Sequence, residues 1–233
     1  MTLFSRISAL VLVLLLTPQL QAQVPDPATV LDRMIAAYGG EENLRKLDNA
    51  VQEWDMVAMM SKRHGTDVRH IRIPGQLMVE LTYPQKVERR MLEGDTALVS
   101  FNGDHPYPAT DPQRDAMRLQ LMRLYSPLVL RDRIANITLT MEGELCALTL
   151  EEHGVRADYL VNLDTWRIEK VAGTLNMGGQ GMRFLTEYSD FEFIDGVLVH
   201  RKENKFAGNV NTAMLSLKNL RFGSALEDSG PAN

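Results

Sequence analysis

Tyr188-Ser189-Asp190-Phe191-Glu192-Phe193-Ile194-Asp195-Gly196-Val197-Leu198-Val199-His200 is the stretch that decides the fold. Two extended runs rich in aromatic and β-branched residues flank Asp195-Gly196. That dipeptide suits the positive backbone angles of a tight hairpin turn. A chain that reverses over two residues pairs its strands antiparallel. The same pattern repeats outward. Residues 182–193, 197–206 and 212–222 read as strands, with Gly208-Asn209 as a further turn. Upstream, 137–141, 145–151, 157–162 and 166–171 read as strands broken at Glu142-Gly143 and Asn162-Leu163-Asp164. The segment 173–181, with Gly178-Gly179 inside it, reads as the most flexible loop.

Further upstream the period is also two. From Val51, Trp54, Met56, Ala58 and Met60 alternate with Asp55, Val57 and Met59, so both faces are partly apolar and both are expected to be covered. Strands at 67–73, 77–83, 86–92 and 97–101 follow, separated by Pro74-Gly75, Tyr83-Pro84 and Glu93-Gly94-Asp95. Residues 27–48 read as helical. Asp26 is the N-cap and Pro27 the first helical residue. Val30, Leu31, Met34, Ile35 and Tyr38 form one face, and Gly39-Gly40 ends the helix. The segment 111–135 interrupts the strands with a second helical period. Ala116, Met117, Leu119, Leu121, Met122, Leu124 and Tyr125 form its apolar band, and Asp111 and Ser126 are candidate caps. The expected architecture is mainly β, of the α+β class. It is a curved, unclosed, barrel-like antiparallel sheet of about 11 strands, with an N-terminal helix and a helical hairpin over the concave face.

Composition narrows the setting. Arg6 is the only charge ahead of an apolar run from Ile7 to Leu16, and Leu20-Gln21-Ala22 follows Thr17-Pro18. This is the pattern of a cleavable signal peptide over 1–22. The run is far shorter than the roughly 20 residues of a spanning helix, and no cysteine follows it to be lipidated. A periplasmic protein is expected, with one domain over 23–223 and a polar, frayed tail over 224–233. The balance of 25 basic to 30 acidic residues, scattered along the chain, argues against a nucleic-acid partner. The single cysteine, Cys146, excludes an internal disulfide and reads as a small buried hydrophobe. Thirteen methionines stand beside two Trp, six Tyr and seven Phe. Methionine suits either core filling or a plastic pocket for greasy ligands.

Catalytic chemistry is weakly signalled. His64 and His70 flank Asp67 without a tight metal-ligand spacing and read as exposed turn residues. His105 follows Asp104, but no nucleophile elbow exists to serve them. Glu41-Glu42 and Glu151-Glu152 are adjacent pairs whose side chains point in different directions, and they read as solvated charges. No catalytic residue, metal site or cofactor is assigned.

Three segments carry a resemblance. They are Leu31-Asp32-Arg33-Met34-Ile35-Ala36-Ala37-Tyr38-Gly39-Gly40-Glu41-Glu42-Asn43-Leu44, Tyr159-Leu160-Val161-Asn162-Leu163-Asp164-Thr165-Trp166-Arg167-Ile168-Glu169-Lys170, and the Tyr188–His200 hairpin. Their order resembles the periplasmic outer-membrane lipoprotein-sorting superfamily, the LolA/LolB-like fold. The resemblance implies an unclosed barrel with helices as a lid over an apolar cavity that carries or senses lipid. It also implies an arginine near the cavity that controls the lid, for which Arg89 and Arg90 are the candidates. The expected ligand is a lipid or an acylated protein, held by a monomeric domain with an envelope membrane protein as a further partner; a sensor or protein-interaction role on the same fold is the alternative. The candidate ligand-binding residues are Trp54, Met56, Met78, Met91, Phe101, Met117, Leu121 and Tyr125. Their face depends on strand register, since a one-residue slip reverses every side chain.

Overall fold

The computed structural model describes residues 25–223. The signal-peptide and tail assignments, over 1–22 and 224–233, therefore lie outside the described residues. Helix α1 (Pro27–Ala37) begins at Asp26, whose carboxylate accepts the Thr29 amide at 3.0 Å. A short helix α2 (Glu41–Leu44) and a 3-10 turn (Arg45–Asp48) lead into the first run of sheet. That run is β1 (Asn49–Ala58), β2 (Arg63–Arg72), β3 (Gln76–Tyr83), β4 (Lys86–Glu93), β5 (Thr96–Phe101) and β6 (Tyr107–Pro108). Helices α3 (Asp111–Met122) and α4 (Pro127–Arg131) follow. The second run is β7 (Ile137–Glu142), β8 (Leu145–Glu152), β9 (Val155–Asn162), β10 (Arg167–Met177), β11 (Gln180–Ile194), β12 (Val197–Ala207) and β13 (Val210–Phe222).

Among the described residues the 13 strands form one antiparallel sheet, in the order β6-β5-β4-β3-β2-β1-β13-β12-β11-β10-β9-β8-β7. Each run is a meander, and β1 joins the two by pairing with β13. The ends of the sheet, β6 and β7, stay unpaired with each other, so the barrel is open. The chain crosses from one end to the other through α3 and α4. Helix α3 touches β3 and β4 on one limb and β9 and β10 on the other, so the sheet curves around it.

The expected count of about 11 strands falls short of 13. One addition is the two-residue β6, too short to show a period. The segment 173–181 is also not a loop: β10 runs to Met177, β11 starts at Gln180, and only Gly178-Gly179 turns. Gly173 suggests flexibility in the sequence but serves close packing. A Cβ there would lie 2.5 Å from Leu119 Cδ1 on α3 and 2.8 Å from the Arg156 carbonyl oxygen. Thr110, not Asp111, caps α3, in a capping box with Gln113. Ser126 caps α4, accepting the Val129 amide. His64 and His70 both lie on β2, since the turn between β1 and β2 is shorter than the sequence suggests.

The quoted hairpin docks on the end of α1. Gly39, at φ +103°, has no room for a side chain because the Gly196 carbonyl lies against it. Lys46 donates to the Asp195 carbonyl at 2.7 Å, and the Leu198 amide to the Tyr38 carbonyl at 3.1 Å. The double glycine and the Asp-Gly turn are thus two halves of one contact.

The α3–Gly173 contact gives a test. Leu119→Ala should cost about 2–5 kcal/mol by leaving a cavity, and Gly173→Ala about 1–3 kcal/mol by overpacking. The double variant should be more stable than the two losses added, because the new Cβ fills the emptied space. Strict additivity in urea denaturation would contradict this packing.

Candidate functional site

The concave face is set by strand parity. Gln52, Trp54 and Met56 of β1 face inward with Asp67, Arg69 and Ile71 of β2, Val79 and Leu81 of β3, and Arg90 and Leu92 of β4. On the other side of β1, Leu215 and Leu217 of β13 and Glu203 and Lys205 of β12 share that face. A charged group therefore sits in the middle of an otherwise apolar surface. Asp67, Arg69 and Glu203 are 1%, 2% and 3% exposed, so water offsets none of their charge. The Arg69 fork is fully used. Nε lies 3.1 Å from both Asp67 oxygens, Nη1 is 2.7 Å from Glu203 Oε1, and Nη2 is 2.9 Å from Glu203 Oε2. Its guanidinium lies over the Trp54 ring, 4.9 Å from the centroid. Lys205 Nζ is 3.6 Å from Asp67 and 3.4 Å from Glu203. His200 meets Glu203 at 3.2 Å and packs its ring against Tyr188 and Trp54.

Two cavities flank this cluster beneath the helices. The first, about 70 Å³, is walled by Tyr38, Trp54, Tyr125, Tyr188, Ile168, Leu198, Val199 and Leu217, with Gln52, Ser126 and His200 as polar points. The second, about 230 Å³, lies under α3 between Met56, Leu81, Ala116, Leu119, Leu175 and Phe184, with Asp67, Arg90 and Lys205 at its walls. Arg123, just past the end of α3, lines both. We refer to them as the aromatic and the cationic cavity.

The end of α3 is fixed by tyrosines. The last carbonyls of a helix need donors from outside it. Tyr159 donates to the Met122 carbonyl at 2.8 Å and Tyr188 to the Arg123 carbonyl at 3.2 Å. Burial pushes both phenols well up, so they stay protonated and able to donate. Tyr38 accepts the Ile168 amide at 3.0 Å, and burial pushes its phenol up to about 12. Tyr125 donates to Glu152, which also holds Arg133 at 2.6 Å. Glu152 is thus half-buried and bonded, not a solvated neighbour of Glu151.

The structure divides the eight candidate residues. Trp54 and Tyr125 line the aromatic cavity, and Met56 lines the cationic one. Met117 and Leu121 are buried on α3 within the main core. Phe101 faces inward at the end of β5 but packs against the core, under the Lys86 ammonium. Met78 and Met91 face each other across β3 and β4 on the other side of the sheet, because the inward positions there are Leu77, Val79, Arg90 and Leu92. Of the two arginine candidates, Arg90 faces the cationic cavity, while Arg89 pairs with Glu80 on the outer face. The sequence reading missed Asp67, Arg69, Arg123, Glu203 and Lys205. One signal was available. Asp67/Arg69 and Glu203/Lys205 are opposite charges two apart on strands, a spacing that puts each pair on one face.

No family model matches the chain, and no curated protein matches it in sequence. Solved structures do. A domain assigned to outer membrane lipoprotein sorting from Vibrio parahaemolyticus superposes with a TM-score of 0.54 at 9% identity, covering 86% of this chain and 94% of that one. A LolA superfamily protein from Nitrosomonas europaea gives a TM-score of 0.54 at 12% identity over the same shares. The fold is LolA-like. At such identities the likeness extends to the fold, while the chemistry of the LolA-like cavity rests on this chain's own residues.

The buried cluster predicts a pH response. Burial alone would raise the Glu203 carboxyl, but the charges of Arg69 and Lys205 and hydrogen bonds from Arg69 and His200 hold it well below the usual carboxylate range. A lowered folded value means that the stabilisation is complete above the ordinary value of 4.5 and is lost as pH falls below it. Glu203→Gln should cost about 3–5 kcal/mol at neutral pH, because Arg69 keeps a buried charge with one partner fewer. The variant should also lose less stability on acidification, so that the two curves converge. Urea denaturation between about pH 3 and 7 measures this, and parallel curves would contradict it.

Proposed function

We propose that this protein binds a lipid, or the acyl part of a lipidated protein, between its helices and the concave face of the sheet. The observation that carries the proposal is the pair of cavities meeting at Arg123 inside a LolA-like sheet. Concave, mostly apolar sites with a few placed polar groups are the usual form of a small-molecule site. Four aromatic side chains and several aliphatic ones wall the first cavity. Each methylene buried there contributes roughly 0.8 kcal/mol, so a short length of acyl chain already gives useful affinity. The signal-peptide pattern supports a periplasmic setting for this binding, where the protein would carry its ligand between envelope components rather than transform it. Handover to a membrane-protein partner belongs to the same proposal.

The two tryptophans make a direct test. Trp54 lines the aromatic cavity, whereas Trp166 sits in the β9–β10 turn near Arg33. In a Trp166→Phe variant, Trp54 is the only indole. The neutral dye N-phenyl-1-naphthylamine should then quench Trp54 emission saturably by energy transfer, and solvent extraction of protein purified from a periplasm should release lipid. Absence of both would overturn the proposal.

A further inference from the structure

The cationic cavity is electrostatically one-sided. Arg90, Arg123 and Lys205 line it against a single carboxylate, Asp67. Arg90 is already bound to Glu88 of its own strand at 2.7 Å. Lys205 lies between Asp67 and Glu203. Arg123 differs from both. Its Nε and Nη2 are buried and donate to nothing among the described residues. Arg114 and Arg118 also bury an unpartnered Nε, but each holds a carboxylate through another nitrogen. A guanidinium has five donors and stays protonated in proteins, so these groups cannot be silenced by losing a proton.

The charge balance points the same way. Around the middle of the concave face, Arg69, Lys205 and Arg123 meet Asp67 and Glu203, which leaves one positive charge in surplus. The surplus falls on the residue whose donors are free. Its position at the end of α3 favours a cation, but a solvated side chain would satisfy that preference without burial. Burial pushes the Arg123 guanidinium down from its ordinary value, the direction of an uncompensated cost. The same side chain also lines the aromatic cavity, so a charge and an apolar slot meet at one residue.

Building on the lipid-binding reading, we infer that the ligand is an anionic amphiphile whose carboxylate or phosphate head is bound by Arg123, with its apolar chain in the aromatic cavity. Two free nitrogens on one guanidinium match the bidentate geometry of both head groups. The head neutralises the surplus charge, and Lys205 and Arg90 add positive potential beside it.

The test compares ligands that differ only in the head. Palmitate, hexadecyl phosphate and hexadecanol compete against N-phenyl-1-naphthylamine on the full mature chain, with inorganic phosphate as the chain-free control. The wild type should prefer the two anions over the alcohol by about tenfold or more, the scale of a charge-assisted hydrogen bond. In Arg123→Met that preference should shrink to within about twofold, and Arg123→Lys, which keeps the charge but loses the fork, should fall between Arg123→Met and the wild type. The denaturation midpoint of unliganded Arg123→Met should not fall, because no internal ion pair is lost. Equal binding of palmitate and hexadecanol by the wild type would overturn this inference while leaving lipid binding intact. So would an unchanged preference in Arg123→Met. A midpoint that drops would assign Arg123 a structural pairing and overturn it as well. Inorganic phosphate competing as well as hexadecyl phosphate would overturn the amphiphile assignment in favour of a free-anion site. Failure of the neutral dye to bind, together with the absence of extractable lipid, would remove the lipid reading itself, and this inference with it.

Discussion

Arg69 is the side chain on which the interior is organised. It reaches from β2 to β12 past the two strands between them, β1 and β13, and closes a buried ion cluster in the middle of the concave face. Desolvating such charges costs several kcal/mol each, and only complete pairing offsets it. The geometry meets that demand, with both carboxylates held by the fork and Trp54 beneath it. A charged island of this kind prevents the inner face from collapsing into one continuous apolar core. Among the described residues the core is accordingly two clusters. Ile71 and Val79, beside Arg69, belong to one, and Trp54 and Met56 belong to the other. The two cavities lie along that seam, each walled by side chains of both clusters.

The helices then fit an interior that is already polar at its centre. Helix α3 enters between the limbs of the sheet, with Leu119 against Gly173 of β10. Its C-terminal carbonyls end deep inside, where water cannot serve them, and the phenols of Tyr159 and Tyr188 do so instead. Those bonds hold the 123–127 joint, from which Arg123 and Tyr125 face the cavities. By contrast, the outer tie of α4, Arg131 to Glu41, is a solvent-exposed pair that water screens. The inner end of the α3–α4 segment is thus fixed by buried hydrogen bonds, and its outer end by the packing of the buried Pro127, Leu128, Val129 and Leu130.

How much of this could be read in the sequence follows from what each pattern encodes. The hairpins, the caps at Asp26 and Ser126 and the inserted helices are local, and their turn and capping residues declare them. Strand parity is not local. On β3 and β4, Met78 and Met91 are as apolar as their neighbours Leu77 and Leu92, and nothing in the run says which set faces the core. The ion cluster is harder still. Its members are separated by up to 138 positions, from Asp67 to Lys205, and meet only because β1 closes against β13. The glycine-rich segment misled for a related reason. Gly173 is required by a helix more than 50 residues away, which no local reading reveals.

The three arginines of the concave face show how fold and ligand chemistry separate. Arg69 spends its donors on two internal carboxylates, and its burial is balanced by the chain itself. Arg90 is half-way: it faces the cationic cavity, but Glu88 on the same strand already neutralises it. Arg123 is charged, and its Nε and Nη2 are buried and unmatched among the described residues. An apolar residue of similar size would fill that position at lower cost, since a buried polar group without a partner is among the more expensive features a fold can carry. Packing therefore explains Arg69 and not Arg123. The α3 terminus does not explain it either, because Tyr188 already serves the Arg123 carbonyl. What remains unbalanced among the described residues is one cation with two buried free donors at the junction of two cavities, and an anionic head group is the kind of partner that would balance it.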